Sequence, residues 1–218
     1  MSKSIRVSAT CIAEIANSSP SSRLSKLRPF KFRDRGEGAG RSAYYKRTID
    51  TVREFHRVGE AARIIRRSIE QLLVVENDLT LSRMVRTRAR RNIEALTAYE
   101  DIYGGRHFKV EPNHRLALGV ENVTITAQPD LWAVEDGTMV LIKIGAARNK
   151  SQDYVDLLLH VIRKAAIQSK YRIRARNVVY LNVESGEEII SQLPINHFNR
   201  KIRQTCREIS ELWPQIKE

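Results

Sequence analysis

The chain has 218 residues, 42% of them hydrophobic, and a formal net charge of +13. That length suits one globular domain with appendages or two small ones, and the absence of any run of about 18 apolar residues excludes a transmembrane helix. No apolar block with a small-residue cleavage site follows Met1–Ser8, and Cys11 and Cys206 form neither a disulfide framework nor a zinc spacing, so a reducing, cytoplasmic setting is expected.

Residues 1–43 read as a basic N-terminal arm. Ser8–Ile15 has the pattern of a short helix, and Asn17-Ser18-Ser19-Pro20 is a turn. Arg23, Lys26, Arg28, Lys31, Arg33 and Arg35 follow, ended by a hinge at Gly36, Gly38 and Gly40. Residues 44–105 form a helical region. Ile49, Val52, Phe55, Ile65, Ile69 and Leu72 fall at helical spacing from Tyr44 to about Val75, with Gly59 as a kink. A second helix is predicted from Leu81 to Tyr103, stopped by Gly104-Gly105.

Residues 106–218 read as an α/β core. Phe108–Leu118, Val123–Val134 and Met139–Ile144 are predicted as three strands of an antiparallel meander, turned at Asn122 and at Glu135-Asp136-Gly137. Ser151 caps the next helix, whose stripe is Val155, Leu158, Leu159, Ile162 and Ala166. Val178–Val183 is a fourth strand and Glu188–Ile190 a fifth. Asn196 starts a final helix that buries Phe198, Ile202, Cys206, Ile209 and Trp213. The order predicts a mixed α/β (α+β) fold, a mixed central sheet flanked by helices behind a helical N-terminal portion.

Asp130 and Lys143 carry the chemistry. An antiparallel hairpin brings them to one end of the same sheet, where a carboxylate, a lysine, a divalent cation and a phosphate can meet. Glu111 lies on the first strand. Ala127-Gln128-Pro129-Asp130-Leu131, the short turn, and then Val140-Leu141-Ile142-Lys143-Ile144-Gly145 resemble the PD-(D/E)xK nuclease core, in its RecB/Cas4-like branch. The resemblance spans roughly residues 108–183. It implies a restriction-endonuclease-like core that cuts DNA with Mg²⁺ or Mn²⁺, with Asp130 as a metal ligand and Lys143 positioning the attacking water.

The pattern is degenerate. The acid two residues before the lysine falls at Leu141, and leucine cannot bind a hard cation. The branch's early-helix histidine, four residues after a glycine, falls at Arg63, with His56 out of register. The branch's Gln-Leu-x-x-Tyr signature falls at Asp156-Leu157-Leu158-Leu159-His160. A relocated acid, Asp156, rebuilds a metal site with Asp130 and Glu111 if the protein is an active nuclease; His160 lies one turn further on the same face.

The charge predicts a polyanionic partner. Arg83, Arg86, Arg88, Arg90 and Arg91 crowd one helix. Lys170, Arg172, Arg174 and Arg176 alternate with apolar residues and would form a basic ribbon if extended. Arg200, Lys201, Arg203 and Arg207 add charge to the last helix. Such contacts grip phosphates without reading sequence. The expected partner is DNA, with RNA open and no membrane. The leading expectation is a DNA-binding protein with a degenerate nuclease-like site. The alternatives are an active Mg²⁺-dependent nuclease and a basic assembly subunit that binds an acidic protein or RNA, or self-associates.

Overall fold

The computed structural model describes residues 5–32, 44–59, 61–146, 150–191 and 195–217. It is a mixed α/β fold whose central sheet is flanked by helices, with a helical N-terminal stretch.

The segment expected as an arm is folded over residues 5–32. Strand β1 (Ile5–Ser8) runs into α1 (Ala9–Ala16), where the Ser8 hydroxyl accepts from the Cys11 N–H at 3.1 Å. Helix α2 (Pro20–Lys31) opens on a proline, whose missing N–H costs nothing in the first turn. Cys11, Ile12, Ile15 and Leu27 are fully buried, so apolar burial fastens this segment to the core. Lys31 Nζ then donates to the Trp213 and Ile216 carbonyls at 2.7 and 2.8 Å. The predicted glycine hinge, with Arg33 and Arg35, lies outside the described residues.

Where one kinked helix was expected there are two, α3 (Lys46–Arg57) and α4 (Arg63–Asn77). Gly59, at φ +76°, ends the first by a conformation that a side chain would resist. Helix α5 (Arg83–Tyr103) is capped by Ser82 and packs against α3 and α4.

The expected three-stranded meander is corrected to five strands in two sheets. They are β2 (Lys109–Glu111), β3 (Leu116–Val120), β4 (Val123–Ala127), β5 (Leu131–Glu135) and β6 (Thr138–Gly145). The first predicted strand breaks at Pro112 and the second at Pro129. Proline cannot donate to a ladder, so at each the chain leaves one sheet for the other. The small sheet has the order β1-β4-β3. The larger runs β2-β5-β6-β7-β8, with β7 (Val178–Asn182) parallel to β6 and β8 (Glu187–Ile190) antiparallel to β7. The β5–β6 hairpin turns at Asp136 and Gly137, both at positive φ, as a two-residue hairpin requires.

The larger sheet buries both faces. Trp132, Leu141, Val178 and Tyr180 pack toward α1, α6 (Gln152–Gln168) and α7 (Ile195–Leu212). Leu131, Ala133, Val140 and Ile142 pack toward α3, α4 and α5. The segment 170–176 is not a strand. Lys170 takes φ +69° and Ala175–Asn177 form a single 3-10 turn, yet Arg172, Arg174 and Arg176 stay exposed while Ile173 is buried. Among the described residues no helix is long and apolar enough to cross a membrane.

Candidate functional site

The two proline breaks create the site. Between β4 and β5 the chain turns through Gln128-Pro129-Asp130, which sets Asp130 just before its strand and opposite Lys143 of β6. Lys143 Nζ lies 2.9 Å from each Asp130 carboxylate oxygen, and the Ile144 N–H donates to Oδ2 at 2.8 Å. The Asp130 N–H donates to the Ile142 carbonyl at 2.9 Å, and Arg53 donates to the Asp130 carbonyl at the same distance. The Asp130 side chain is only 9% exposed and that of Lys143 is 23% exposed. A nearly buried carboxylate is tolerable here because both oxygens have donors.

This pair lies on the wall of a cleft of about 960 Å³. The cleft gathers basic residues from separate elements. Lys46 and Arg53 come from α3, Arg91 from α5, Arg115 from the 112–115 break, Lys143 from β6, and Lys150 from just before α6. Against these six the lining offers two acids, Asp130 and Asp50, and Asp50 is tied to Lys46 at 2.6 Å. Aromatic rings stand between the cations. Lys150 Nζ sits 4.3 Å over the Tyr154 ring and 3.5 Å from Glu14. Tyr180 lies opposite Lys143 in register, and a methyl group added at Gly145 would come within 2.5 Å of its hydroxyl. Burial raises the Tyr180 phenol well above its ordinary range and pushes Tyr45 up to about 12, so both stay neutral O–H donors.

The other expected ligands do not assemble with Asp130. Glu111 pairs with Lys109 at 2.9 Å, opposite Trp132 in the ladder, and does not line the cleft. Asp156 does not line it either, which corrects the relocated-acid expectation. Tyr154, Leu158 and Ile162 are the α6 residues that face the cleft. Asp156, two residues after Tyr154 and two before Leu158, points roughly 160–200° away at ~100° per residue. There it is 2% exposed, hydrogen-bonded to Gln152 and Ser191, and its Oδ1 has no partner. Burial raises its carboxyl above the usual range. His160 shares that far side, 3.4 Å from Asn199 of α7, and burial lowers its imidazole below the ordinary value. Asp156 and His160, one turn apart, share the side of α6 turned away from the cleft-lining Tyr154, Leu158 and Ile162.

Leu141 is fully buried beside Trp132 in the core, where it serves packing. His56 donates to or accepts from Tyr99 Oη at 2.9 Å, within an aromatic cluster that includes Phe108. Among the described residues no group of three or more His, Cys, Asp or Glu side chains is close enough to hold a metal ion. Among the described residues the one carboxylate in the cleft opposite Lys143 has both oxygens engaged, by a lysine and a backbone N–H, where a hard cation would need free oxygen ligands.

Of the five arginines that crowd the start of α5, only Arg91 lines the cleft, and it also pairs with Glu94 at 2.8 Å and Glu184 at 3.6 Å. Arg90 pairs with Glu76 across the α4–α5 hairpin at 2.7 Å. Arg83 and Arg88 are exposed and Arg86 is half-buried. The cleft residues that sequence reading missed are Lys46, Arg53, Arg115 and Lys150. They stand outside the arginine-rich runs of the sequence, and only the tertiary fold collects them.

No protein-family model matches this sequence, and none of the curated proteins matches it.

Proposed function

We propose that the protein binds nucleic acid, DNA in the first place, in this cleft, through a nuclease-like α/β core that no longer hydrolyses phosphodiesters. One observation carries the reading. Six basic side chains from five separate segments line one cleft; Lys46, Lys143, Arg91 and Lys150 are each paired with an acid, and Arg53 and Arg115 add positive charge beyond those pairs. A phosphate backbone supplies the negative charge such a cleft lacks, and its counterions are released on binding.

The likeness to the PD-(D/E)xK pattern supports this reading. Pro129-Asp130 precede β5, Lys143 stands opposite on β6, α6 follows, and β7 returns parallel to β6. The departures argue against hydrolysis. A metal-assisted mechanism needs oxygen ligands around the cation and an oriented water. Leu141 offers no oxygen, and Lys143 is spent on holding Asp130.

The test is binding and cleavage on the same preparation. Labelled duplex DNA, single-stranded DNA and RNA are titrated at several salt concentrations, then incubated with Mg²⁺ or Mn²⁺. Salt-dependent binding that weakens in Arg115→Ala/Lys150→Ala, with intact product on a gel, is the expected result. Metal-dependent cutting abolished by Lys143→Ala would establish an active nuclease instead. Binding that is indifferent to the cleft substitutions would remove the cleft from the account.

A further inference from the structure

Five of the nine most exposed large apolar side chains among the described residues lie between positions 73 and 85. They are Leu73, Val74, Leu79, Met84 and Val85, at 41, 72, 81, 77 and 41% exposure. All belong to the tip where α4 ends, the chain turns, and α5 begins. Scattered single exposed apolar residues need no explanation, but a concentration at one protruding end does.

On the α4 side of this patch Glu76 is tied to Arg90 at 2.7 Å and Asp78 accepts from Thr80 and lies near Arg86; the α5 side is basic. Helix α5 opens on Arg83 and has no acidic residue in its first turn. Its positive dipole end and Arg83 therefore repel each other, where an acid would be favourable. Arg86 follows one turn on, and its Nε is buried with no hydrogen-bond partner. The apolar centre asks for apolar contact, and the rim asks for negative charge.

We propose that this tip docks an acidic amphipathic helix of a partner protein. Charge complementarity decides among the occupants. A second copy would set these arginines against each other. Phosphates would answer the arginines but leave Val74, Leu79 and Met84 in water. An anionic membrane is usually met through aromatic side chains, and residues 73–85 contain none. An acidic helix with a leucine stripe meets both demands at once, and the flexible Met84 side chain can adapt to it.

The probe is a fluorescein-labelled helix of about 18 residues, with leucines at i, i+3, i+4 and i+7 spacing and glutamates elsewhere. A scrambled peptide of the same composition is the control. Anisotropy titrations use the full chain, Leu79→Ser/Met84→Ser, Arg83→Glu/Arg86→Gln and, as a cleft control, Arg115→Ala/Lys150→Ala. Circular dichroism checks that each variant is folded. The amphipathic peptide is expected to bind roughly tenfold tighter than its scramble, and each tip variant to lose roughly tenfold, about 1.4 kcal/mol. The cleft variant should bind the peptide like the parent, so failure here is distinct from failure of the nucleic-acid reading. Equal binding of both peptides, or losses caused by the arginine changes alone, would overturn the proposal. So would tip-dependent binding to phosphatidylserine vesicles or duplex DNA that exceeds binding to the peptide.

Discussion

Two buried aspartates, one in the cleft that α6 lines and one on α6 itself, are held in opposite ways. Asp130 shares the cleft lining with Tyr154, Leu158 and Ile162 and has both oxygens engaged, by Lys143 and by the Ile144 N–H. On the far side, Asp156 has Gln152 and Ser191 for company, and one oxygen has no partner at all. Position in the sequence made Asp156 look like the missing acid of a metal site. The helical period carries it to the wrong side. A carboxylate contributes to a site through direction as well as distance, and two residues along a helix reverse the direction.

The largest effect that tests this contrast is on stability. Lys143→Met removes the counter-charge from a carboxylate that stays buried, and should cost about 2–3 kcal/mol in urea unfolding. Asp130→Asn added to it should recover most of the loss. A Lys143→Met variant as stable as the parent would place Asp130 beside Asp156 as an unsupported acid, and the contrast would be gone.

Next comes affinity. Arg115→Ala/Lys150→Ala should weaken DNA binding by roughly tenfold or more and reduce the slope of log K against log salt by about 2. Asp156→Ala should leave both quantities at their parental values. Loss of DNA affinity in Asp156→Ala would mean that the far side of α6 belongs to the site.

A smaller effect, of opposite sign, is expected at Asp156 itself. Burial raises its carboxyl pKa in the folded state, so the folded protein holds that proton more tightly than the unfolded chain does. The stabilising contribution of the protonated form is complete below the unfolded pKa and is lost as pH rises through the folded one. Asp156→Asn should therefore stabilise at neutral pH, by about 1 kcal/mol or 2–4 °C in Tm, the scale of one unsatisfied buried polar group. That gain should fade as the pH falls toward the ordinary aspartate range. Calorimetry at several pH values separates this from a gain that is constant with pH, which would have another cause.

The smallest effects sharpen the comparison by their absence. Glu111→Ala removes a half-exposed ion pair with Lys109 and should stay within ~0.5 kcal/mol of the parent. If the engaged Asp130 oxygens leave no metal site, as we propose, millimolar Mg²⁺ should move Tm by less than ~1 °C, since only a ligand that binds the folded state stabilises it. A clear upward shift, abolished by Asp130→Asn, would restore a metal to the cleft.

Local signals were legible wherever the partner lay close in the chain. Ser151 caps α6, with its hydroxyl accepting from Tyr154 N–H, as a serine before an apolar-periodic run should. Asp136-Gly137 form the expected turn, and that hairpin alone sets Asp130 against Lys143. The stripe Phe198, Ile202, Cys206 and Ile209 is fully buried on α7 as its spacing predicted, while Trp213, expected with them, lies past the helix in a 3-10 turn and is half-buried.

What escaped depends on residues far apart. Helix α2 buries Leu27 and shows an otherwise polar, proline-interrupted sequence, so nothing local separates it from a solvated arm. Pro112 and Pro129 were visible, but only the assembled sheets show that both mark passages from one sheet to the other. Helix α6 buries Asp156, Leu157 and His160 as well as its apolar stripe. With burial on all sides, its sequence alone did not say which face meets the cleft. The basic cleft escaped for the same reason as the pairing of β1.

That pairing also dictates an order of events. Strand β1 lies parallel to β4, and Thr126 donates to the Val7 carbonyl across 119 residues of chain. During synthesis β1 must wait for the 119 residues that separate Val7 from Thr126 before its partner exists. Closing a loop of that length is entropically dear only once, but it makes the contact late. Until then Ile12, Ile15 and Leu27, wholly covered in the finished molecule, stand open to water and to other chains. The nascent protein should accordingly depend on whatever shields its first thirty residues, and a circular permutant that begins ahead of β3 and places β1 after α7 would change how long they wait.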